Sequence, residues 1–178
     1  LVSMKANTAI SFLLSGIALL FLSTEQSTKW KQTVEAVCSG VVALLGGLTL
    51  SQYLFGVNLG IDQIFFTEQA GAVGTVHAGR MAPATAFNFL LVGISLLLYS
   101  RQVFMAARVL ISLMAVVALF SFLGYLFGLS SLRNLGPFTP MALHTCITFI
   151  ILAVSLLSMK VVFDSQFIIR AGFWVAIV

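Results

Sequence analysis

One apolar pattern occurs three times in this chain, and it constrains the fold more than any other feature. Residues 4–20, 81–97 and 141–157 align without a gap. Each copy opens on Met, with Thr four residues later, Phe eight later and a small residue twelve later. These are Thr8, Thr85 and Thr145, then Phe12, Phe89 and Phe149, then Gly16, Gly93 and Ala153. Such self-similarity indicates one structural unit that is used repeatedly.

A second pattern lies between the copies of the first. Residues 43–56 match residues 115–128, and both stretches end in Tyr-Leu-Phe-Gly. The two patterns together describe a hairpin of two helices followed by a loop. We therefore predict a single membrane domain of three pseudo-repeated helical hairpins, at about residues 4–80, 81–140 and 141–178.

Composition places this unit in a membrane. Hydrophobic residues make up 60% of the chain, charged residues 8%, and the mean hydropathy is +1.11. Soluble domains carry roughly 25% charged residues. The net charge of +4 comes from basic residues that lie mostly between apolar runs, where they act as topology signals and not as a nucleic-acid surface. The sequence predicts an all-α, polytopic bundle in contact with the lipid bilayer.

The apolar runs set the expected spans, since about 20 helical residues cross a hydrocarbon core. We predict helices at about residues 6–23, 33–56, 82–99, 103–128 and 141–159. A sixth helix is expected to begin near Phe167 and to be truncated. The chain opens on Leu1 and stops within an apolar run, so we expect it to be a fragment of a longer protein.

Basic residues predict the orientation of these helices. Six lie at the ends joined by short connections and three at the other ends: Lys29, Lys31, Arg101, Arg108, Lys160 and Arg170 against Lys5, Arg80 and Arg133. Cytoplasmic loops carry the excess of Lys and Arg. The loops at 57–81 and 129–140 are therefore predicted outside.

Two histidines are candidates for a cofactor site. His144 is expected to face the bundle interior with Thr148 and Ser155, and His77 lies four residues before Met81. An ionisable side chain inside a membrane bundle indicates function by default. The two imidazoles would be axial ligands of a haem b iron, with Arg80 beside a propionate. The alternative interpretation makes His144 a helix cap and His77 a solvated loop residue.

Other residues leave further alternatives open. The thioethers of Met81 and Met141 would suit copper. The Thr and Ser rows of the repeats are explained by a hydrogen-bonded packing seam between helices. No catalytic motif is present in the sequence, and Cys38 and Cys146 lie in apolar runs, where a thiol behaves as a small hydrophobe.

Several motifs together resemble a known kind of region. They are Asp62-Gln63, the stretch from His77 to Ala86 (HAGRMAPATA), Gly-Tyr-Leu-Phe-Gly at 124–128, and Thr-Pro-Met-Ala-Leu-His-Thr at 139–145. Over nearly its whole length the chain is similar to the N-terminal multi-pass membrane region of bacterial signalling proteins. In those proteins the region precedes PAS domains and a histidine kinase or diguanylate cyclase. The resemblance implies the bacterial inner membrane, a homodimer, and cytoplasmic output domains on the same polypeptide.

Two functions from different classes follow. The first is a sensory input domain that relays an envelope or membrane signal to cytoplasmic output domains, with or without a bound cofactor. The second is a haem- or quinone-binding subunit of an electron-transfer or transport complex. The encoded sequence beyond residue 178 discriminates between them, because only the first requires PAS, kinase or cyclase motifs there.

Overall fold

A computed structural model describes residues 3–24, 28–64, 66–67, 77–129 and 139–175, with side chains described as far as Met159. Within these ranges the chain forms helices and no strands, as predicted. The α-helices are α1 (Ala6–Leu22), α2 (Lys29–Phe55), α3 (Pro83–Ser100), α4 (Phe104–Leu126) and α5 (Leu143–Val175). A 3-10 turn at Ile61–Gln63 lies between α2 and α3.

The first four helices lie close to their predicted positions, and α2 differs most. It begins at Lys29, four residues before the predicted start at 33. Lysine and glutamine are good helix formers, so the helix continues past the end of the apolar run. Trp30 in this added turn packs edge-on against Phe21, with ring centroids 5.3 Å apart. This contact packs the end of α1 against the beginning of α2.

The last helix is longer than predicted. The apolar pattern predicts a connection at 160–166 and a separate helix from about Phe167, but the described backbone is helical throughout Leu143–Val175. Residues 160–166 (KVVFDSQ) contain neither Gly nor Pro, the residues that most often end a helix. The predicted turn is therefore absent from the described backbone, and no separate sixth helix is present in it.

The helices have the length and composition of membrane-associated segments. Three of them, α2, α3 and α4, are long and apolar enough to cross a membrane. Ala6–Leu22 and Leu143–Met159 are apolar but shorter by the same measure. The predicted class, a bundle of apolar helices suited to a membrane, agrees with this architecture.

Glycines allow α2 and α3 to approach closely. A Cβ added to Gly93 would lie 2.5 Å from the Ala43 nitrogen, and one added to Gly46 would lie 2.6 Å from the Ala86 carbonyl oxygen. The small residue at position 93 therefore permits close contact between the two backbones. Gly16, at the equivalent position of the first copy, makes no such contact, because a Cβ there would have no neighbour within 4 Å.

Equivalent positions of the three apolar copies meet in the core. The rings of Phe12, Phe89 and Phe149 contact one another, with centroids 4.7–4.8 Å apart for all three pairs. Thr8, Thr85 and Thr145 are all buried and line one small cavity. These contacts bring the beginnings of α1, α3 and α5 together at one end of the bundle.

Candidate functional site

A buried polar cluster lies where α2 ends and α3 begins. We call Gln52, Tyr53, Asp62 and Arg80 the Arg80 cluster. Gly56 and Gly60 have φ values of 65° and 70°, a left-handed conformation that glycine adopts without steric cost. These two glycines turn the chain back after α2 and bring the Ile61–Gln63 turn over the end of that helix. Asp62 thereby faces Gln52 and Arg80.

The side chains of Arg80, Asp62 and Gln52 form a closed ring of hydrogen bonds. Arg80 Nε donates to Asp62 Oδ2 at 2.8 Å, and Arg80 Nη2 donates to Gln52 Oε1 at 3.0 Å. Gln52 Nε2 donates to Asp62 Oδ1 at 3.0 Å. The exposed fractions of Arg80, Asp62 and Gln52 are 5%, 7% and 1%. Such a buried ion pair offsets its desolvation cost only where further hydrogen bonds are made, and here both Asp62 oxygens and two of the Arg80 nitrogens are bonded.

Further contacts attach the turn after α2 to the helices around it. The Leu59 amide donates to the same glutamine oxygen at 2.9 Å. Asn7 Nδ2, on α1, donates to the Ile61 carbonyl at 2.9 Å. The Arg80 guanidinium lies 5.4 Å from the centre of the Tyr53 ring, a favourable cation–π distance. The turn is thus joined to α1, to α2 and to the segment that leads into α3.

A polar cavity adjoins the cluster. Its volume is about 360 Å³, and its lining includes Asn58, Asp62, Gln63, His77 and Arg80. This volume falls in the range of small-molecule sites. Because the lining offers a guanidinium, a carboxylate, amides and an imidazole, the cavity suits a polar ligand that both donates and accepts hydrogen bonds.

The two predicted haem ligands do not line the same described cavity. His77 is exposed, lines this cavity with Arg80, and lies edge-on to Tyr53 with centroids 6.2 Å apart. His144 is also exposed and does not line the cavity, so the prediction that it faces the bundle interior is wrong. Asn7, its equivalent in the first copy, is covered by the Ile61 segment, whereas the described chain leaves His144 uncovered.

The two methionines occupy equivalent buried positions. Met81 and Met141 are each 1% exposed. The Tyr53 hydroxyl donates to the Met81 carbonyl at 3.0 Å, and the Tyr125 hydroxyl donates to the Met141 carbonyl at 2.8 Å. Neither methionine lines the cavity of His77 and Arg80. The structure therefore does not gather the five predicted residues in this cavity, and the haem b and copper hypotheses stay predictions.

Gln52 was missed by the sequence reasoning. It is a polar residue in an apolar helix, immediately before the Tyr of the repeated Tyr-Leu-Phe-Gly. The corresponding residue in the second copy is Gly124. That difference between otherwise matching copies is the signal that would have identified it.

Glu35 is a second buried acid that the sequence reasoning passed over. It lies near the beginning of α2 and is 2% exposed. Ser39 Oγ donates to Glu35 Oε1 at 3.1 Å, and Glu35 Oε2 has no hydrogen-bond partner among the described residues. Buried charges are usually paired, so this position in the opposite half of α2 from Gln52 is also a candidate for function.

Comparisons of the chain with protein-family models, with curated proteins and with solved structures find no match.

Proposed function

We propose that this chain is the membrane-embedded sensory input domain of a bacterial signal-transduction protein. It crosses the inner membrane several times and relays an envelope or membrane signal to cytoplasmic PAS, kinase or cyclase domains of the same polypeptide. The observation that carries this proposal is the buried Arg80 cluster beside a polar cavity of about 360 Å³. A ligand-sized polar cavity at one end of an apolar bundle is the arrangement that an input site requires.

The hydrogen bonds of the cluster provide a route from the cavity to the helices. Asp62 and Arg80 both line the cavity and both contact Gln52 on α2. A ligand that binds Asp62 or Arg80 changes the hydrogen bonds of these residues to Gln52. It therefore changes the relative free energy of the helix arrangement that those bonds stabilise. A ligand shifts a conformational equilibrium by its difference in affinity for the two states. Helix movement then carries the signal across the membrane.

The proposed architecture is that of three hairpin repeats around an axis normal to the membrane. The first repeat comprises α1 and α2, the second α3 and α4, and the third begins with α5. The mutual contact of the three Phe rings and the matching bonds from Tyr53 and Tyr125 support this arrangement. In the proposed topology the loops at 57–81 and 129–140 lie outside, and the sensor works as a homodimer.

The histidines offer a test with a matched control. Both are exposed, but only His77 lines the cavity. In the full-length protein, His77→Ala should change the level of output, measured as autophosphorylation or cyclic-dinucleotide synthesis in membranes. His144→Ala should leave the output unchanged. If neither variant changes it, the cavity is not the input site.

The alternative function predicts other results. For a haem-binding subunit, the purified protein shows a Soret band that is lost in His77→Ala and in His144→Ala, and the encoded sequence beyond Val178 contains no output domain. PAS, kinase or cyclase motifs in that sequence support the sensory function. Their absence contradicts it.

A further inference from the structure

A groove lies between α2 and α3 at the opposite end of the bundle from the Arg80 cluster. Gly46 approaches Ala86, and Gly93 approaches the earlier residue Ala43. The two helices are therefore antiparallel, and the beginning of α2 lies beside the end of α3. The groove between these ends, which we call the Lys29 groove, has a volume of about 750 Å³. Its polar lining consists of Lys29, Gln32, Thr33, Ser100 and Arg101.

A tight turn holds Arg101 at this groove. Gln102, the next residue, has a φ of 62°, a left-handed conformation that is uncommon for residues other than glycine. The Gln102 amide donates to the Tyr99 carbonyl, and the Val103 amide donates to the Leu98 carbonyl, each at 2.9 Å. These two bonds form the Schellman motif that ends many helices. The backbone of Arg101 is thus fixed at the junction of α3 and α4.

The groove is positively charged. Lys29 and Arg101 are both exposed, and neither forms an ion pair with a described residue. Glu35 is the one acid in the sequences of α2 and α3. It is only 2% exposed and does not line the groove. An ammonium and a guanidinium that share one groove favour an anion with several oxygen atoms, such as a phosphate ester.

The other part of the lining is apolar. Ala36 and Val37 line the groove further along α2, and both are exposed. They lie seven and eight residues after Lys29, about 10 Å deeper along the helix axis. α2 is long and apolar enough to cross a membrane, so this deeper part of the groove faces the hydrocarbon chains of a bilayer. A ligand that fills the groove therefore has an anionic end and an apolar end.

We infer that the Lys29 groove binds one anionic phospholipid. Its phosphate lies between Lys29 and Arg101, and its acyl chains follow Ala36 and Val37. Basic pockets between membrane helices are typical sites for acidic lipid headgroups. The bound lipid joins the beginning of α2 to the end of α3. This inference needs only that the helices lie in a membrane, and it holds whether or not the chain is a sensor.

A lipid titration of the purified, full-length protein tests the proposal. Phosphatidylglycerol, added to the protein in micelles of an uncharged detergent, should raise the midpoint of thermal unfolding until the effect saturates, because a ligand that binds only the folded state stabilises it. Phosphatidylcholine with the same acyl chains has no net charge and should need a concentration about ten-fold higher or more for the same rise. Equal responses to the two lipids would overturn the proposal.

A soluble phosphate ester separates the lipid from its headgroup. Glycerol 3-phosphate has the anionic group of the lipid but no acyl chains, so it should produce no rise at the concentrations at which phosphatidylglycerol saturates. If glycerol 3-phosphate acts at the same concentrations as the lipid, the groove binds free phosphate esters and the assignment to a lipid is wrong.

Variants with a matched control locate the effect. Lys29→Gln and Arg101→Gln should each weaken the apparent affinity for phosphatidylglycerol about five-fold. Without the lipid both should unfold at the midpoint of the parent protein, because both positions are exposed. The control is Lys31→Gln, which removes the same charge from the same turn of α2 but outside the lining of the groove. Equal weakening by Lys31→Gln would show a response to overall basic charge and would overturn the site.

Photolabelling shows where the acyl chains lie. One equivalent of phosphatidylglycerol with a photoreactive group in its acyl chain should label α2 around Val37, as detected by mass spectrometry. The double variant Lys29→Gln/Arg101→Gln should lose this label. Unchanged labelling of the double variant would contradict the proposal.

Discussion

At the scale of single residues, the hydrogen bonds of Asp62 and Arg80 are the main interactions that hold the turn after α2 in place. The charged groups of both are buried, and each bonds to Gln52 as well as to the other. In an apolar bundle the removal of one partner leaves the other charge buried without compensation. The hydrogen bonds of Asp62, Arg80 and Gln52 therefore contribute little net free energy to folding. They hold the turn after α2 in place because breaking any one of them leaves a charged group buried without a partner.

Removal of the Arg80 charge should destabilise the fold strongly. Removal of the Arg80 and Asp62 charges together should destabilise it less. We expect Arg80→Gln to lower the free energy of unfolding by about 3–5 kcal/mol. The double variant Asp62→Asn/Arg80→Gln should recover part of this loss, since no charge is then buried alone. Unfolding in mixed micelles measures both, with Arg101→Gln, at an exposed position, as a control that should change by less than about 0.5 kcal/mol. A double variant no more stable than Arg80→Gln would contradict this account.

Sequence reasoning identified part of this site. Arg80 and His77 were recognisable because ionisable residues beside apolar runs are rare, and both line the same cavity. The partnership with Gln52 was not recognisable, because it depends on the two left-handed glycines that fold the loop back. His144 was misplaced for a related reason: helical spacing gives the face of a residue but not which segment covers that face.

At the scale of the helices, apolar periodicity predicted α1, α3 and α4 well. It was less reliable at the ends, where charged residues in α2 and in α5 continue a helix beyond its apolar run. Side-chain hydropathy marks the part of a helix that suits the membrane, whereas backbone hydrogen bonding decides where the helix stops. The close contact of α2 with α3 depends instead on two glycines, Gly46 and Gly93.

A methyl group at the contact between α2 and α3 should push the helices apart. Gly93→Ala places a Cβ 2.5 Å from the Ala43 nitrogen, a backbone atom that cannot move alone. We expect a loss of about 1–3 kcal/mol in the free energy of unfolding. Gly16→Ala is the matched control, because it meets nothing within 4 Å and should be neutral or stabilising by up to about 1 kcal/mol. Equal effects of the two substitutions would show that α2 and α3 are not in close contact.

At the scale of the whole molecule, the distribution of basic residues predicts which end faces the cytoplasm. Asn58 and Arg101 are exposed at opposite ends of the bundle, and Cys38 and Cys146 are buried. On intact spheroplasts a membrane-impermeant maleimide should label Asn58→Cys and not Arg101→Cys. Labelling of Arg101→Cys alone would reverse the topology.

The central claim is that the three apolar copies pack together at equivalent positions. Pairwise cysteine substitutions at Thr8, Thr85 and Thr145, with Cys38→Ser and Cys146→Ala, test it most directly. Trypsin separates these positions because Lys or Arg residues lie between them, so mass spectrometry detects each link. We predict that a short bifunctional thiol reagent links all three pairs with similar yield. Linkage of Thr8→Cys to Thr85→Cys, with neither linked to Thr145→Cys, would contradict the claim.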